Sequence, residues 1–397
     1  MDFEYPPAAE AFRAEVRAWL PAHVPADLKG RSFTSSRADR AEVDRLREWQ
    51  RILHKAGYVG IDWPAEYGGR GASIMEQIIL YEEMSRTESP QPVNRGGLSM
   101  LGPTLMKHGT AAQRARHLSK ILTAEEIWCQ AFSEPNAGSD LANLQTRAEL
   151  DGDWYVLNGQ KVWTSMAHVA DWGFFLVRTD PSAAKHKGIT FLLVDMKTPG
   201  ISIRPLRQIT GEAEFNEVFL ENVRVPAGNV VGKVNEGWGV AITTLAYERD
   251  VLTMIRHISL RTALERLVAL AKRTKKNGRT AAQDPVLRQK IAGLAIAERC
   301  LQLNGYRSLT QILKGKLPGP EGSTSKLFWS QVDQDLAEVA TEVIGPYSQI
   351  AAPSPLAPDD GQWEFYALLA RGSGIRAGTS EILRNILGER VLGLPKD

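Results

Sequence analysis

Trp154-Tyr155-Val156-Leu157-Asn158-Gly159-Gln160-Lys161-Val162-Trp163-Thr164-Ser165 is the stretch on which the fold turns. Apolar and β-branched residues flank Asn158-Gly159-Gln160, and Asn-Gly tolerates positive φ at both positions. Strands over 154–157 and 161–165 are therefore expected to pair as a hairpin. Further short strands are predicted over 172–178, 189–196, 201–205 and 217–225, a spacing that suggests an antiparallel barrel or sandwich.

The segments on either side have a different period. Phe12, Val16 and Leu20 recur every fourth residue until Pro21, and Val43, Leu46, Trp49 and Leu53 repeat the spacing up to Gly57. Ile74, Ile78 and Tyr81 do so again, after a turn-rich loop that runs from Trp63 to Gly69. Beyond Gly237, Val240, Leu245, Leu252 and Ile255 begin a long helix that ends in the basic run Lys272-Arg273-Thr274-Lys275-Lys276-Asn277-Gly278. Later helices are predicted over 284–313, 323–344, 362–369 and 380–392. The expected class is α+β: a helical domain over 1–123, a β domain over 124–236 and a helical bundle over 237–397.

With 397 residues, two or three domains are expected, and the chain is long enough to need no disulfide or metal staples. Its 48 Lys+Arg and 46 Asp+Glu leave a net charge of +2, too even for a dedicated nucleic-acid binder. The two cysteines, Cys129 and Cys300, build no disulfide framework and no CxxC zinc site, which points to a reducing compartment. The acidic start lacks an apolar signal region, and no apolar run reaches the length of a membrane span. A cytoplasmic, bacterial-type protein is expected. The seven histidines form no HExxH and no i,i+4 pair, so no metal site is expected. No GxGxxG follows a strand, and no P-loop or GxSxG elbow is present. The basic run at 272–279 reads as a solvated helix end or as a phosphate contact.

Three separated segments carry a more specific pattern: Gln130-Ala131-Phe132-Ser133-Glu134-Pro135-Asn136-Ala137-Gly138-Ser139-Asp140-Leu141, Asn158-Gly159-Gln160-Lys161-Val162-Trp163-Thr164-Ser165, and Arg376-Ala377-Gly378-Thr379-Ser380-Glu381-Ile382. Together they resemble the acyl-CoA dehydrogenase family of flavoproteins. The resemblance spans nearly the whole chain and implies that family's fold: an N-terminal helical domain, a middle β domain and a C-terminal four-helix bundle. It also implies FAD as cofactor. By resemblance, Gln130, Phe132 and Ser133 line the flavin, and Gly138 and Ser139 lie where flavin and acyl-CoA meet. Trp163 would pack on the isoalloxazine with Thr164 and Ser165 beside it, while Thr379 and Glu381 would approach from the C-terminal segment. Main-chain N–H groups and short hydroxyls in a turn such as 134–140 suit ring oxygens and phosphates. The plainer alternatives are a structural turn at Ser139 and a core aromatic at Trp163.

The reaction implied is α,β-dehydrogenation of an acyl-CoA thioester to the trans-2-enoyl-CoA, in which a carboxylate takes the α proton. Many members carry that glutamate just before the Gly-Thr of the third segment, where this chain has Ala377. A lineage resembling isovaleryl-CoA dehydrogenase has Ala-Gly-Thr-Ser-Glu there and carries the base on the first long helix of the C-terminal domain. Leu245-Ala246-Tyr247-Glu248-Arg249 matches that lineage's Leu-x-x-Glu-Arg, which makes Glu248 the candidate base and Arg249 a candidate substrate contact. The backbone N–H groups at Ala377 and Gly378 can still serve the thioester carbonyl. Surface carboxylate and structural ion pair are the alternatives for Glu248 and Arg249.

A second departure lies in the basic run. Relatives have an Arg and a Phe that reach a neighbouring subunit's FAD where this chain has Thr274 and Asn277, with Arg273 or Lys275 as substitutes, and Glu342-Val343-Ile344-Gly345-Pro346 stands in place of Gln-x-x-Gly-Gly. A homodimer or homotetramer, or a heteromer with a paralogous subunit, follows from the resemblance, as does an electron-transferring flavoprotein as acceptor. The rival readings are an acyl-CoA oxidase and a non-catalytic FAD-binding subunit.

Overall fold

The computed structural model describes residues 5–29, 39–276, 278–315 and 319–396; the side chains of 248–255 and 321 lie outside the description. Helix α1 (Pro7–His23) buries Phe12, Val16 and Leu20, and Pro21 falls in its last turn instead of ending it. Asp39 caps α2 (Arg40–Lys55), which buries Val43, Leu46, Trp49 and Leu53. Reciprocal capping boxes open α3 (Ile74–Arg86), through Ser73 and Glu76, and α5 (Ala111–Leu122), through Thr110 and Gln113. Short α4 (Gly102–His108) precedes α5.

The β region holds β1 (Trp128–Ala131), β2 (Arg147–Asp151), β3 (Trp154–Lys161), β4 (Trp172–Arg178), β5 (Ile189–Asp195), β6 (Ile201–Leu206), β7 (Phe215–Pro226) and β8 (Val230–Val231). They form one sheet in the order β6-β7-β3-β2-β4-β5-β8, with β1 beside β4. Two features differ from the expected antiparallel barrel. The sheet is mixed, because β1 and β2 each pair parallel to β4: the β2–β3 hairpin intervenes, and the chain re-enters in the original direction. Nor is it a closed barrel, since β6 and β8 end the path without pairing to each other.

Asn158-Gly159 is not a hairpin turn. Strand β3 runs straight through it, paired to β2 on one side and β7 on the other. The pairing shifts between Leu157 and Gly159, so that β7 bulges opposite Asn158, with Asn222 at φ +53°. Asn158 Oδ1 accepts from Asn222 N at 2.9 Å and braces the bulge. Gly159, at φ +152°, approaches the residue before β2 so closely that a Cβ would lie 2.7 Å from Thr146 Cα. The hairpin turn is Gly152-Asp153, between paired Asp151 and Trp154, with Gly152 at φ +58°.

The C-terminal region holds α6 (Gly237–Arg273), a short hairpin of β9 (Lys275–Lys276) and β10 (Arg279–Thr280), then α7 (Pro285–Leu313), α8 (Ser323–Ile344), α9 (Gln362–Ala370) and α10 (Ser380–Ile386). Leu267, Leu336, Ala340 and Val343 centre its core, while Val240 and Ala241 of the same α6 belong to the core beneath the β sheet. Helix α6 thus joins both cores. It is bonded to the N-terminal helices through Thr104–Thr244 (3.0 Å), His108–Thr243 (3.1 Å) and Ser85–Thr262 (2.9 Å). Among the described residues, no helix is long and apolar enough to cross a membrane, and no His/Cys/Asp/Glu cluster suits a metal.

Candidate active site

Where α3, the 91–103 segment and α6 meet, the fold leaves a cavity of about 260 Å³. Ile74, Leu80, Met84 and Leu98 supply apolar wall, and Asp62, Gln77, Tyr81, Gln91, Arg95 and Ser99 supply polar groups. Tyr247 of α6 closes one side, so the helical turn that carries residue 248 runs against the cavity. The side chains of Glu248 and Arg249 lie outside the described residues, as does Asn277.

Helix α3 is held by its Glu83, which accepts from Arg17 at 2.6 Å, Arg86 at 2.7 Å and Arg13 at 3.3 Å. Burial alone would raise this carboxyl, but the guanidinium groups overcome it and bring it down to about 2. The 91–103 segment is fixed by Asn94, whose Nδ2 donates to Glu126 O (2.7 Å) and Ile121 O (3.1 Å) and whose Oδ1 accepts from Trp128 N (3.0 Å). The last bond ties the cavity wall to β1, and β1 leads directly into the first flavin-type segment.

That segment and the second are brought together. Lys161 Nζ lies 2.7 Å from Glu134 Oε1 and donates to Phe132 O at 3.1 Å, and Val162 N donates to Ser133 O at 2.9 Å. Glu134 also accepts from Gln145 N (2.6 Å) and Thr146 N (2.9 Å), which closes the 134–146 loop. Burial would raise the Glu134 carboxyl; the Lys161 charge and these bonds hold it below its usual range. Sequence reading assigned Glu134 and Lys161 no role, although a lysine between strand-type apolar residues was a visible signal.

The predicted flavin residues divide by orientation. Trp163 and Ser165 are exposed, while Thr164 between them is buried. Trp163 is 60% exposed at φ +59°. Phe215 packs edge-on to its ring at 5.8 Å, and a bulky side chain held in left-handed backbone with most of its indole exposed offers a flat apolar platform. Behind it, Thr164 Oγ1 and Asn216 Oδ1 are buried without a hydrogen-bond partner among the described residues. Phe132 instead turns into the core, edge-on to Phe174 and Phe191. Gln130 and Ser133 are half-buried, and Gly138 and Ser139 are exposed on the turn.

The third segment sits on the bundle, and no hydrogen bond or ion pair among the described residues joins it to the first two. Ala377 (φ +54°) and Gly378 (φ +91°) are consecutive left-handed residues on an exposed turn. Thr379 caps α10, accepting from Ile382 N at 3.2 Å, and the Glu381 carboxyl is held below its usual range by its own N–H and by Thr379. Lys326, buried beneath this turn, donates to Ser373 O (2.9 Å) and Gly378 O (2.8 Å). Of the substitutes for the missing arginine, Arg273 is committed to Asp359 and Lys275 is exposed. Lys276 donates to Glu342 O at 3.0 Å, and Lys290 pairs with the Glu342 carboxylate at 2.6 Å.

Family models for the N-terminal, middle and C-terminal domains of acyl-CoA dehydrogenase match residues 6–125, 129–223 and 235–392. The chain belongs to the acyl-CoA dehydrogenase family. It is 41% identical to acyl-CoA dehydrogenase IpdE1 of Mycobacterium tuberculosis over 98% of each chain. The structure called Tcur3481-Tcur3483 steroid ACAD superposes with a TM-score of 0.89 at 32% identity, covering 100% of both chains. The ChsE4-ChsE5 complex from Mycobacterium tuberculosis gives 0.86 at 31%, again over 100% of both. The chain is an oxidoreductase of acyl-CoA thioesters, in a family of flavoproteins, and the exposed part of Trp163 fits a flat ring.

Proposed function

We propose that Glu248 removes the α proton of an acyl-CoA thioester seated in the cavity beside Tyr247, in a site completed by FAD. The observation that carries this reading is Tyr247 in the cavity wall: it sets the helical turn of Glu248 against the space the acyl group needs. The α C–H of a thioester is a weak acid, so the charge that develops on the carbonyl oxygen needs placed donors. The exposed turn at Ala377 and Gly378 offers backbone N–H groups, and Lys326 holds that turn from below. Arg249 contacts the substrate. Bound FAD supplies the hydride acceptor for the β carbon; Trp163 and Ser165 receive its ring, with Gln130, Ser133, Gly138 and Ser139 around it and Thr379 and Glu381 opposite. Thr164 and Phe132 support this platform from the core.

The domains divide near residues 124 and 237, and the enzyme is cytoplasmic, in keeping with its free cysteines. It assembles with a paralogous subunit. Support comes from Thr274 at the arginine position, from the engagement of Arg273 by Asp359, and from two-component names among the structural relatives. An electron-transferring flavoprotein is the acceptor. The deciding experiment is anaerobic addition of acyl-CoA thioesters to the flavin-loaded assembly. Bleaching of the flavin with formation of enoyl-CoA is expected; an assembly that binds FAD and thioesters but never bleaches would mark the chain as a non-catalytic subunit. Faster reoxidation by oxygen than by the flavoprotein would make it an oxidase.

A further inference from the structure

We infer that the acyl group carries neutral oxygen substituents, hydroxyl or keto, on the part that fills the cavity; this rests on the acyl-CoA reading above. An unsubstituted fatty chain calls for an apolar tunnel. Here Asp62, Gln77, Tyr81, Gln91, Arg95 and Ser99 all line one cavity, Gln77, Tyr81 and Gln91 half-buried and Asp62, Arg95 and Ser99 exposed where it opens to water. None of the six side chains makes a hydrogen bond or ion pair to another described residue; Asp62 bonds only its own backbone N–H. Groups of this kind left facing an alkyl chain would lose water and gain nothing, at a cost for each.

The mixture of groups selects the ligand chemistry. Arg95 donates only, Asp62 accepts when ionised, and Tyr81, Gln77, Gln91 and Ser99 do both. Arg95 and Asp62 both act electrostatically on Tyr81, with opposite sign, so the fixed charges around the cavity oppose each other. A ligand carboxylate would satisfy Arg95 but meet Asp62; a hydroxyl or carbonyl finds a partner in either. The cavity, at about 260 Å³, also suits a compact acyl group better than a long one.

The test uses the FAD-loaded assembly with hexanoyl-CoA, its ω-hydroxy and keto derivatives, and adipoyl-CoA. Kd is measured by calorimetry and flavin bleaching is followed anaerobically. The hydroxy or keto thioester is expected to bind at least about tenfold tighter than hexanoyl-CoA. Arg95→Met and Asp62→Asn are each expected to bring the ratio of the two Kd values, oxygenated against hexanoyl-CoA, to within about twofold of one. Equal or tighter binding of hexanoyl-CoA, or a preference unaffected by both variants, overturns the inference. Tightest binding by adipoyl-CoA overturns it too, in favour of a carboxylate at Arg95. Tight binding of the oxygenated thioester without bleaching sustains the inference and instead removes the catalytic reading.

Discussion

The Lys161 ammonium lies 2.7 Å from the Glu134 carboxylate, and both are buried, where the first two flavin-type segments cross. Each is the other's counter-charge, so removing one strands the other. Lys161→Met is expected to destabilise the protein by about 3–5 kcal/mol and to release flavin. Thermal unfolding and flavin retention measure both; the double variant Lys161→Met/Glu134→Leu should recover part of the stability.

Glu248→Gln keeps the shape of the side chain and removes its basicity. Turnover is expected to fall by about 10²–10⁴-fold or more while the flavin stays bound. Stopped-flow bleaching checks this, and near-normal turnover would exclude Glu248 as the base.

Lys326 ties the 373–378 turn to α8, and burial, with Arg256 and Arg376 nearby, pushes its ammonium down to about 8. Between pH 8 and the ordinary value of 10.5 the unfolded chain holds the extra proton, so this group makes stability rise with pH across that window. Urea unfolding at pH 8 and pH 10 compares wild type with Lys326→Met: the variant should show the smaller rise.

Glu83 behaves in the opposite way. Its folded carboxyl sits at about 2, against an ordinary 4.5, so its contribution is complete above pH 4.5 and is lost as pH falls toward 2. Glu83→Gln should cost about 3 kcal/mol at pH 7 and much less at pH 2.5, read from denaturant midpoints. A penalty independent of pH would show that the Arg13, Arg17 and Arg86 cluster is not the source.

Gly159→Ala places a methyl against Thr146 in a backbone region that L residues avoid. A loss of roughly 1–3 kcal/mol is expected in thermal or urea unfolding. A neutral effect would mean that β2 and β3 separate easily there.

Local apolar pattern and stop signals placed the helices that became α6, α7 and α8, and strand β4 was legible as an unbroken apolar run, which is buried along its whole length. The three motif segments likewise carried the family, since each is contiguous in the chain. Asn158-Gly159 reads as a turn because the dipeptide permits one, but β2 and β7 flank it on both sides, and Thr146, just before β2, uses the missing Cβ for close approach. The parallel pairing to β4, the Glu134–Lys161 bond and the Lys326 support of Gly378 also unite residues distant in sequence. The polar cavity is the furthest from local reading. Asp62, Tyr81, Arg95 and Tyr247 come from a turn, from α3, from the helical turn at 95–101 and from α6, and only the docking of α6 against α3 makes their side chains share one space.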